Sequence, residues 1–122
     1  MYITANDTHF GAKLSAGVSC GPGTLMNIDS NGQAVLADHS GSIWAMGVAL
    51  TSGAGTKTAG MSQYVRLDRT ARVVVDSYVT LTTGGTVYLG EDGKYATSGT
   101  QKVGFALDTD EVFVDLDVYF LA

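Results

Sequence analysis

Apolar and polar residues alternate along much of this chain with the period of two that is typical of β-strands. The clearest case is residues 112–121, where Val112, Val114 and Leu116 share one face with Phe120, and Asp115 lies on the other. This alternation predicts one half-buried strand over residues 112–121. The nearly continuous apolar run at residues 43–50 predicts a strand that is buried on both faces. Gly47 inside that run indicates a bulge or a close approach of another backbone.

Short β-favouring segments, separated by glycine- and Asx-containing turns, follow one another along the chain. We count roughly nine or ten such segments at spacings of about 8–12 residues, which predicts a small all-β barrel or sandwich. Residues 51–62 form the longest stretch of low hydrophobicity, and we expect a surface loop there.

Three short motifs occur twice, in the same order. They are Gly-Thr-apolar at Gly23 and Gly85, Asx-Gly at Asn31 and Asp92, and Gly-(Val/Phe)-Ala-Leu at residues 47–50 and 104–107. Glycine in the Asx-Gly pairs accepts the positive φ of a tight hairpin turn. The repetition predicts two related β halves, residues 17–62 and 63–122. Each half alone is too small for a good core, so we expect a single all-β domain over residues 17–122.

Residues 1–16 are only weakly periodic, with few large apolar side chains. We expect an extended N-terminal arm with at most one short strand. Chain termini are ordered only when something holds them. The arm is therefore expected to dock on a partner or on a sister subunit.

The composition is rich in Gly and Thr, and the formal net charge of the 122 residues is −5. Nucleic-acid binding requires clustered cations, so general affinity for nucleic acid is not expected. Acidic residues gather near the end of the sequence and basic residues near its middle. This separation suggests one basic and one acidic face that join copies of the chain or a charged neighbour; two solvated faces are the alternative.

Membrane insertion and disulfide formation are not expected. No apolar run approaches the roughly 20 residues that span a bilayer. The first residues lack the basic and apolar regions of a signal peptide. Cys20 is the single cysteine, which excludes an internal disulfide and indicates a reducing compartment. We expect Cys20 to pack as a small apolar side chain.

Candidate chemistry is sparse. Asp38, His39 and Ser40 contain the residue types of a nucleophilic relay, but neighbours on one loop usually point apart. Asp115 and Asp117 would lie about 7 Å apart on one strand face, which suits a cation or a neighbour's arginine. The glycine pairs do not precede a helix that could bind phosphate. We therefore expect no enzymatic activity, no metal site and no cofactor.

Residues 81–95, 101–107 and 112–118 resemble segments of bacteriophage head decoration proteins, also called cement proteins. The resemblance implies a virion structural protein that is made in the host bacterial cytoplasm and binds the major capsid protein. It would stabilise the mature shell from outside as a homotrimer, or less often as a dimer. The family also implies that an N-terminal arm reaches onto capsid subunits.

Nine residues are expected to contact the capsid or a sister subunit. They come from the arm, the basic middle and the acidic end: Tyr2, Ile3, Phe10, Arg66, Arg69, Arg72, Asp108, Asp110 and Glu111. The alternative is a carbohydrate- or surface-binding β-module, such as a head-fibre or tail-associated domain. That function would use an exposed aromatic residue, for which Tyr95 and Trp44 are the candidates.

Overall fold

A computed structural model of the chain describes residues 9–54 and 64–119, and these residues form an all-β structure, as predicted. The described elements are β1 (His9–Leu14), β2 (Ser19–Cys20), β3 (Leu25–Ile28), β4 (Gln33–Leu36), β5 (Gly47–Ala49), β6 (Gly53–Ala54), β7 (Tyr64–Asp68), β8 (Thr70–Val74), β9 (Thr86–Leu89), β10 (Tyr95–Ala96), β11 (Lys102–Asp108), β12 (Glu111–Asp115) and α1 (Leu116–Tyr119). The helix is a single turn, so strands dominate the fold.

Five strands close into a barrel in the order β1-β4-β3-β5-β7. The strands β1 and β4 are parallel, and the other neighbours are antiparallel. Small and medium apolar side chains pack together as the barrel core: Ala12, Leu14, Met26, Ala34, Ala49, Val65 and Leu67.

The other large sheet has the order β10-β9-β11-β12-β8. Its inner face packs on the outside of the barrel, where Leu25 and Val48 point outward and join a second, larger core with Val87, Val112 and Val114. A separate two-stranded ribbon pairs β2 with β6.

The two sheets have the same strand connectivity, so the sequence repeats correspond to a structural repeat. The order β4-β3-β5-β7 in the barrel corresponds to β10-β9-β11-β12 in the second sheet, and β1 and β8 each pair with the last strand of their own set. Gly32 and Gly93 occupy equivalent hairpin turns with the same φ of 75°. The structural units are thus β1–β7 and β8–β12, and their boundaries differ from the expected halves 17–62 and 63–122 because β7 closes the first barrel.

The Gly-Thr motif is displaced by one residue in the structural correspondence. The amide of Gly23 donates to Ala49 O at 2.7 Å, and the amide of Gly84 donates to Ala106 O at 2.8 Å. Gly84, rather than Gly85, is therefore the equivalent of Gly23, and both have positive φ.

The described part of the expected N-terminal arm, residues 1–16, contains a barrel strand. Residues 9–14 form β1, which pairs with β4 on one edge and β7 on the other, and Leu14 is fully buried. The expected domain boundary at residue 17 is therefore wrong, because the barrel cannot close without β1. Tyr2 and Ile3 lie outside the described residues.

Two expected strands are shorter than their apolar patterns indicated. Within residues 43–50 only β5 is a strand, because the backbone of Ala45 pairs with the buried side chain of Gln101: Ala45 N–H donates to Oε1 at 2.7 Å and Nε2 donates to Ala45 O at 3.0 Å. The strand expected over 112–121 ends at Asp115, and α1 follows.

Gly47 does meet a close neighbour, since a Cβ there would lie 3.0 Å from Leu67 Cβ.

Part of the loop expected over residues 51–62 is a strand, because β6 lies in it. Residues 55–63 lie outside the described residues.

The second sheet is an open counterpart of the barrel, and the first unit closes its gap. The end strands β8 and β10 are unpaired with each other, and near them the Tyr95 amide donates to the hydroxyl of Tyr78 at 3.0 Å. The turn at Gly23 sits against this gap, where Gly23 O accepts the hydroxyl of Tyr95 at 2.7 Å. Gly93 in turn reaches the barrel, since its carbonyl accepts the Leu25 amide at 2.9 Å. The units therefore interlock.

Candidate functional site

Asp38, His39 and Ser40 do not form a catalytic relay. The Ser40 hydroxyl donates to Glu91 Oε1, and Asp38 Oδ1 accepts the Ser40 amide at 3.2 Å. His39 is half-buried rather than exposed, and its Nδ1 has no hydrogen-bond partner among the described residues. A relay would require the imidazole to accept the proton of the hydroxyl.

Cys20 is half-buried in β2, with its Sγ 3.9 Å from Thr51 O. Burial raises the pKa of the Cys20 thiol, which is the opposite of the change that activates a nucleophilic cysteine. In the described ranges 9–54 and 64–119, no three acidic, histidine or cysteine side chains are placed to hold a metal ion together.

The two aromatic residues considered for carbohydrate binding have structural roles. Tyr95 is only 5% exposed, and its hydroxyl bonds to the barrel. Burial raises the pKa of Tyr95, because the phenolate would lose its hydration. Trp44 is half-buried and packs against the larger core.

The expected separation into a basic and an acidic face is wrong. Arg69 pairs with Asp117 (Nη1–Oδ1, 3.1 Å), and Arg72 pairs with Glu111 (Nε–Oε1, 2.7 Å). Antiparallel pairing of β8 with β12 places the basic and acidic segments side by side, so Arg69 and Arg72 are each paired with an acidic residue. Because the basic and acidic residues are far apart in the sequence, these ion pairs were not predicted.

The outer face of the second sheet has an aromatic centre. The rings of Phe105 and Phe113 stack with centroids 5.7 Å apart and an interplanar angle of 28°, and Phe105 is 38% exposed. The strand register places Thr86 beside Phe105 and Arg72 beside Phe113. We call this surface the aromatic face; it consists of Arg72, Val74, Thr86, Phe105, Glu111 and Phe113.

The edge of the aromatic face is the open edge of β8. Arg69 O accepts the Leu116 amide and the Val75 amide donates to Asp110 O, so the odd-numbered residues face β12. The backbone groups of Arg72 and Val74 consequently point to the opposite edge, which no described strand covers. Val74 is 71% exposed there. Pro22 and Gly23 of the first unit lie against part of this edge.

A second surface feature lies where β1 begins and β12 ends. Phe10, Ile28, Met46 and Leu116 line an open depression of about 620 Å³, together with the Arg69–Asp117 ion pair. We call this feature the chain-end depression. It brings together Phe10 and Arg69, which are 59 positions apart and were both expected contact residues.

The remaining expected contact residues fall elsewhere. Arg72 and Glu111 belong to the aromatic face, Asp108 and Asp110 lie exposed at the β11–β12 turn, and Arg66 is exposed on β7. Phe105 and Phe113 were missed, although the alternation that buries Val112 and Val114 already placed Phe113 on the opposite face. A phenylalanine on the outward face of a half-buried strand was the available signal.

No protein-family model matches this chain, and no curated protein matches it. None of the described helical structure is long and apolar enough to cross a membrane.

Proposed function

We propose that this protein is a non-enzymatic virion structural protein that binds the outer surface of a phage capsid and stabilises the mature shell. The aromatic face is the observation that carries the proposal. Its aromatic centre and charged rim correspond to the usual anatomy of a protein interface, in which aromatic residues occupy the core and polar residues the rim.

Charge pairing makes this face suitable for contact with another protein. The chain is acidic overall, but Arg72 and Glu111 pair with each other on the aromatic face. Burying a pair that is already formed leaves no isolated charge, which would otherwise be costly. The face therefore presents apolar area without strong repulsion.

The interlocked fold supports the same role. Tyr95 and Gly93 of the second unit bond to Gly23 and Leu25 of the first, which holds the aromatic face on a fixed frame. A preorganised surface loses little conformational freedom on binding. A protein that binds the assembled shell and not its alternatives stabilises that shell by mass action.

The proposal is tested by co-sedimentation of the full chain with purified shells of its parent phage. We expect Phe113→Ser to weaken binding about tenfold or more, as loss of an interface centre does. Tyr64→Ser is the matched control, because Tyr64 is 73% exposed and lies on β7, outside the aromatic face. Unchanged melting temperatures would show that both variants are folded.

Two outcomes would contradict the proposal. If the purified shells do not retain the wild-type chain, the proposed capsid-binding function is refuted. Equal retention of wild type and Phe113→Ser would show that the aromatic face is not the contact surface. The carbohydrate-binding alternative is not proposed, because Tyr95 and Trp44 are engaged in the core.

A further inference from the structure

The turn between β9 and β10 docks onto the first unit at one backbone position. Gly93 is buried there, and its carbonyl accepts the Leu25 amide at 2.9 Å. Its own amide donates to Ala37 O, just beyond the end of β4. The turn therefore lies where the pairing of β3 with β4 ends, and it satisfies backbone groups on both sides.

Backbone hydrogen bonds identify the equivalent position in the second unit. The carbonyls of Thr24 and Gly85 accept amides of the corresponding strands β5 and β11, at 2.8 and 2.9 Å. The residues that follow, Leu25 and Thr86, are therefore equivalent. Because successive residues of an antiparallel strand direct their backbone groups to opposite sides, the Thr86 amide points away from β11, as the Leu25 amide points away from β5.

No described turn docks at the Thr86 position. Thr86 is exposed, and an open depression of about 330 Å³ lies beside it. Gly85 leaves additional room, because it stands where the first unit has Thr24, whose methyl group lies nearest to Gly93. We call this feature the second-unit depression, and its lining is uncharged: Leu81, Thr82, Gly85, Thr86, Val87, Tyr88 and Thr97.

The first unit presents a turn that matches the depression. Gly32 is equivalent to Gly93 and has the same φ of 75°, but it is exposed. The conformation of the turn is already fixed, since Asp29 Oδ1 accepts the amides of Asn31 and Gln33 at 2.9 and 3.0 Å. A preorganised turn loses little conformational freedom on binding.

The turn and the depression of one chain do not meet. Both belong to strands of one interlocked fold, and no described atom other than those of its chain neighbours lies within 4 Å of a Cβ placed on Gly32. A contact that repeats the docking of Gly93 therefore requires a second copy. Copies with a net charge of −5 repel each other, but the lining and the exposed residues Ser30, Asn31 and Gly32 carry no charge.

We propose that the Asn31-Gly32 turn of one copy docks in the second-unit depression of another copy, where Gly32 O accepts the Thr86 amide. The contact repeats between chains the one that Gly93 makes with Leu25 within the chain. It is heterologous, so each copy offers one turn and one depression, and the rotation between copies decides between a ring and a filament. This inference does not rest on capsid binding and is tested without shells.

The first experiment locates the contact through a disulfide between copies. Two proteins are made in a Cys20→Ser background, one with Asn31→Cys and one with Thr97→Cys, and their mixture is mildly oxidised. A heterologous contact joins unlike positions, so the mixture is expected to form at least about fivefold more disulfide-linked dimer than either protein alone. Electrophoresis without reductant measures the yield, and mass spectrometry identifies the two partners.

The control replaces Thr97→Cys with Thr109→Cys. Both threonines are exposed, but Thr109 is absent from the lining of the depression. We expect no excess of dimer when Thr109→Cys is mixed with Asn31→Cys. Equal yields in the two mixtures, no dimer in the Thr97 mixture, or dimer formed equally well by one protein alone would each overturn the proposal.

The second experiment measures self-association by sedimentation velocity of the full chain, from dilute solution to about 1 mM, where weak specific contacts also become populated. Thr97→Glu is expected to raise the concentration needed for association at least about tenfold, because docking would bury an unpaired charge. Thr109→Glu adds the same charge outside the depression and is expected to behave like wild type.

Two results of the sedimentation experiment would refute the docking of one copy on another. One is a wild-type chain that stays monomeric over the whole concentration range. The other is equal association of Thr97→Glu and Thr109→Glu, with unchanged melting temperatures showing that both are folded. Either result would leave capsid binding to be decided by the Phe113→Ser comparison.

Discussion

At the scale of single residues, Tyr95 joins the two units through its side chain. The hydroxyl donates to Gly23 O, and the ring is part of the larger core. Its pKa in the folded state is raised, with burial as the largest cause and the nearby Tyr78 as the second. Tyr95 is thus both a structural contact and a group that links stability to alkaline pH.

Tyr95→Phe is expected to reduce the free energy of unfolding by about 1–2 kcal/mol near neutral pH, because Gly23 O loses its donor. The folded-state pKa lies above the unfolded-state value of about 10, so the unfolded chain releases its proton first as pH rises. The contribution of the hydroxyl is therefore complete below about pH 10 and is lost above it. Urea unfolding at several pH values should show the difference between wild type and variant shrinking above about pH 10.

A difference that stays constant up to pH 11 would contradict this linkage. Tyr78 also has a raised pKa, mainly through burial, and it is present in both proteins, so the comparison reports the Tyr95 hydroxyl together with its coupling to Tyr78.

Sequence patterns identified some individual residues correctly and missed others for physical reasons. Gly47 was recognised, because a glycine inside an apolar strand indicates close packing. Gln101 was missed, although it is fully buried and holds Ala45 through two hydrogen bonds. A single polar residue in a polar stretch carries no periodic signal, and only the tertiary structure shows that it replaces a strand partner.

At the scale of elements, the two hairpin turns provide a natural comparison. Gly32 joins β3 to β4 and Gly93 lies between β9 and β10, both with φ of 75°. Among the described residues other than its own chain neighbours, Gly32 has no atom within 4 Å of the position that a Cβ would occupy, whereas a Cβ on Gly93 would lie 2.8 Å from Leu25 O. The same turn is thus free in one unit and inserted against the barrel in the other.

Gly32→Ala is expected to cost about 1 kcal/mol, the price of a left-handed conformation for a residue with a Cβ. Gly93→Ala is expected to cost at least about 2 kcal/mol more, because the clash with the Leu25 backbone adds to that strain. Chemical denaturation of both variants measures the difference. Equal losses would mean that the contact between the second hairpin and the barrel contributes nothing.

The element boundaries show where the alternation of apolar residues is insufficient. The pattern at residues 112–121 is compatible with a strand throughout, yet the structure changes to α1 at Leu116. Leu116 is fully buried in the structure, and the apolar alternation had also predicted a buried position there, but within a strand. The same burial pattern is therefore satisfied by two conformations, so it could not place the end of the strand.

The charged elements illustrate a related limit. Arg72 and Glu111 are 39 positions apart in sequence, and only the antiparallel register of β8 with β12 makes them neighbours. Strand pairing across long separations is not encoded in local composition. The grouping of the expected contact residues on the aromatic face and in the chain-end depression was therefore not predicted.

At the scale of the whole molecule, the two units share a core and exchange hydrogen bonds. The larger core contains Leu25 and Val48 from the barrel together with Val103 and Val112 from the second sheet. Removing one unit would expose much of this surface. The units are consequently expected to fold as one cooperative body.

Equilibrium unfolding of the full chain is expected to follow a single two-state transition. Trp44 fluorescence reports the boundary between the units, and far-UV circular dichroism reports all strands. The two curves should coincide in urea. Separate midpoints would show that the barrel and the second sheet unfold independently.

The class of fold and the repeat were accessible from the sequence because both depend on local turns and alternating burial. The Asx-Gly turns and the Gly-(Val/Phe)-Ala-Leu strands recur at equivalent positions in the two units. The sequence did not predict that the strands of the first unit close into a barrel while the second sheet stays open. That difference depends on whether a distant edge strand, β1 or β8, meets the hairpin of its own unit.

The location of the chain-end depression has a practical consequence. Phe10 near the start of β1 and Leu116 just after β12 line the same hollow, so the ends of the described fold are adjacent. A short peptide joining them would permit circular permutation, with new termini opened at the unobstructed Asn31-Gly32 turn.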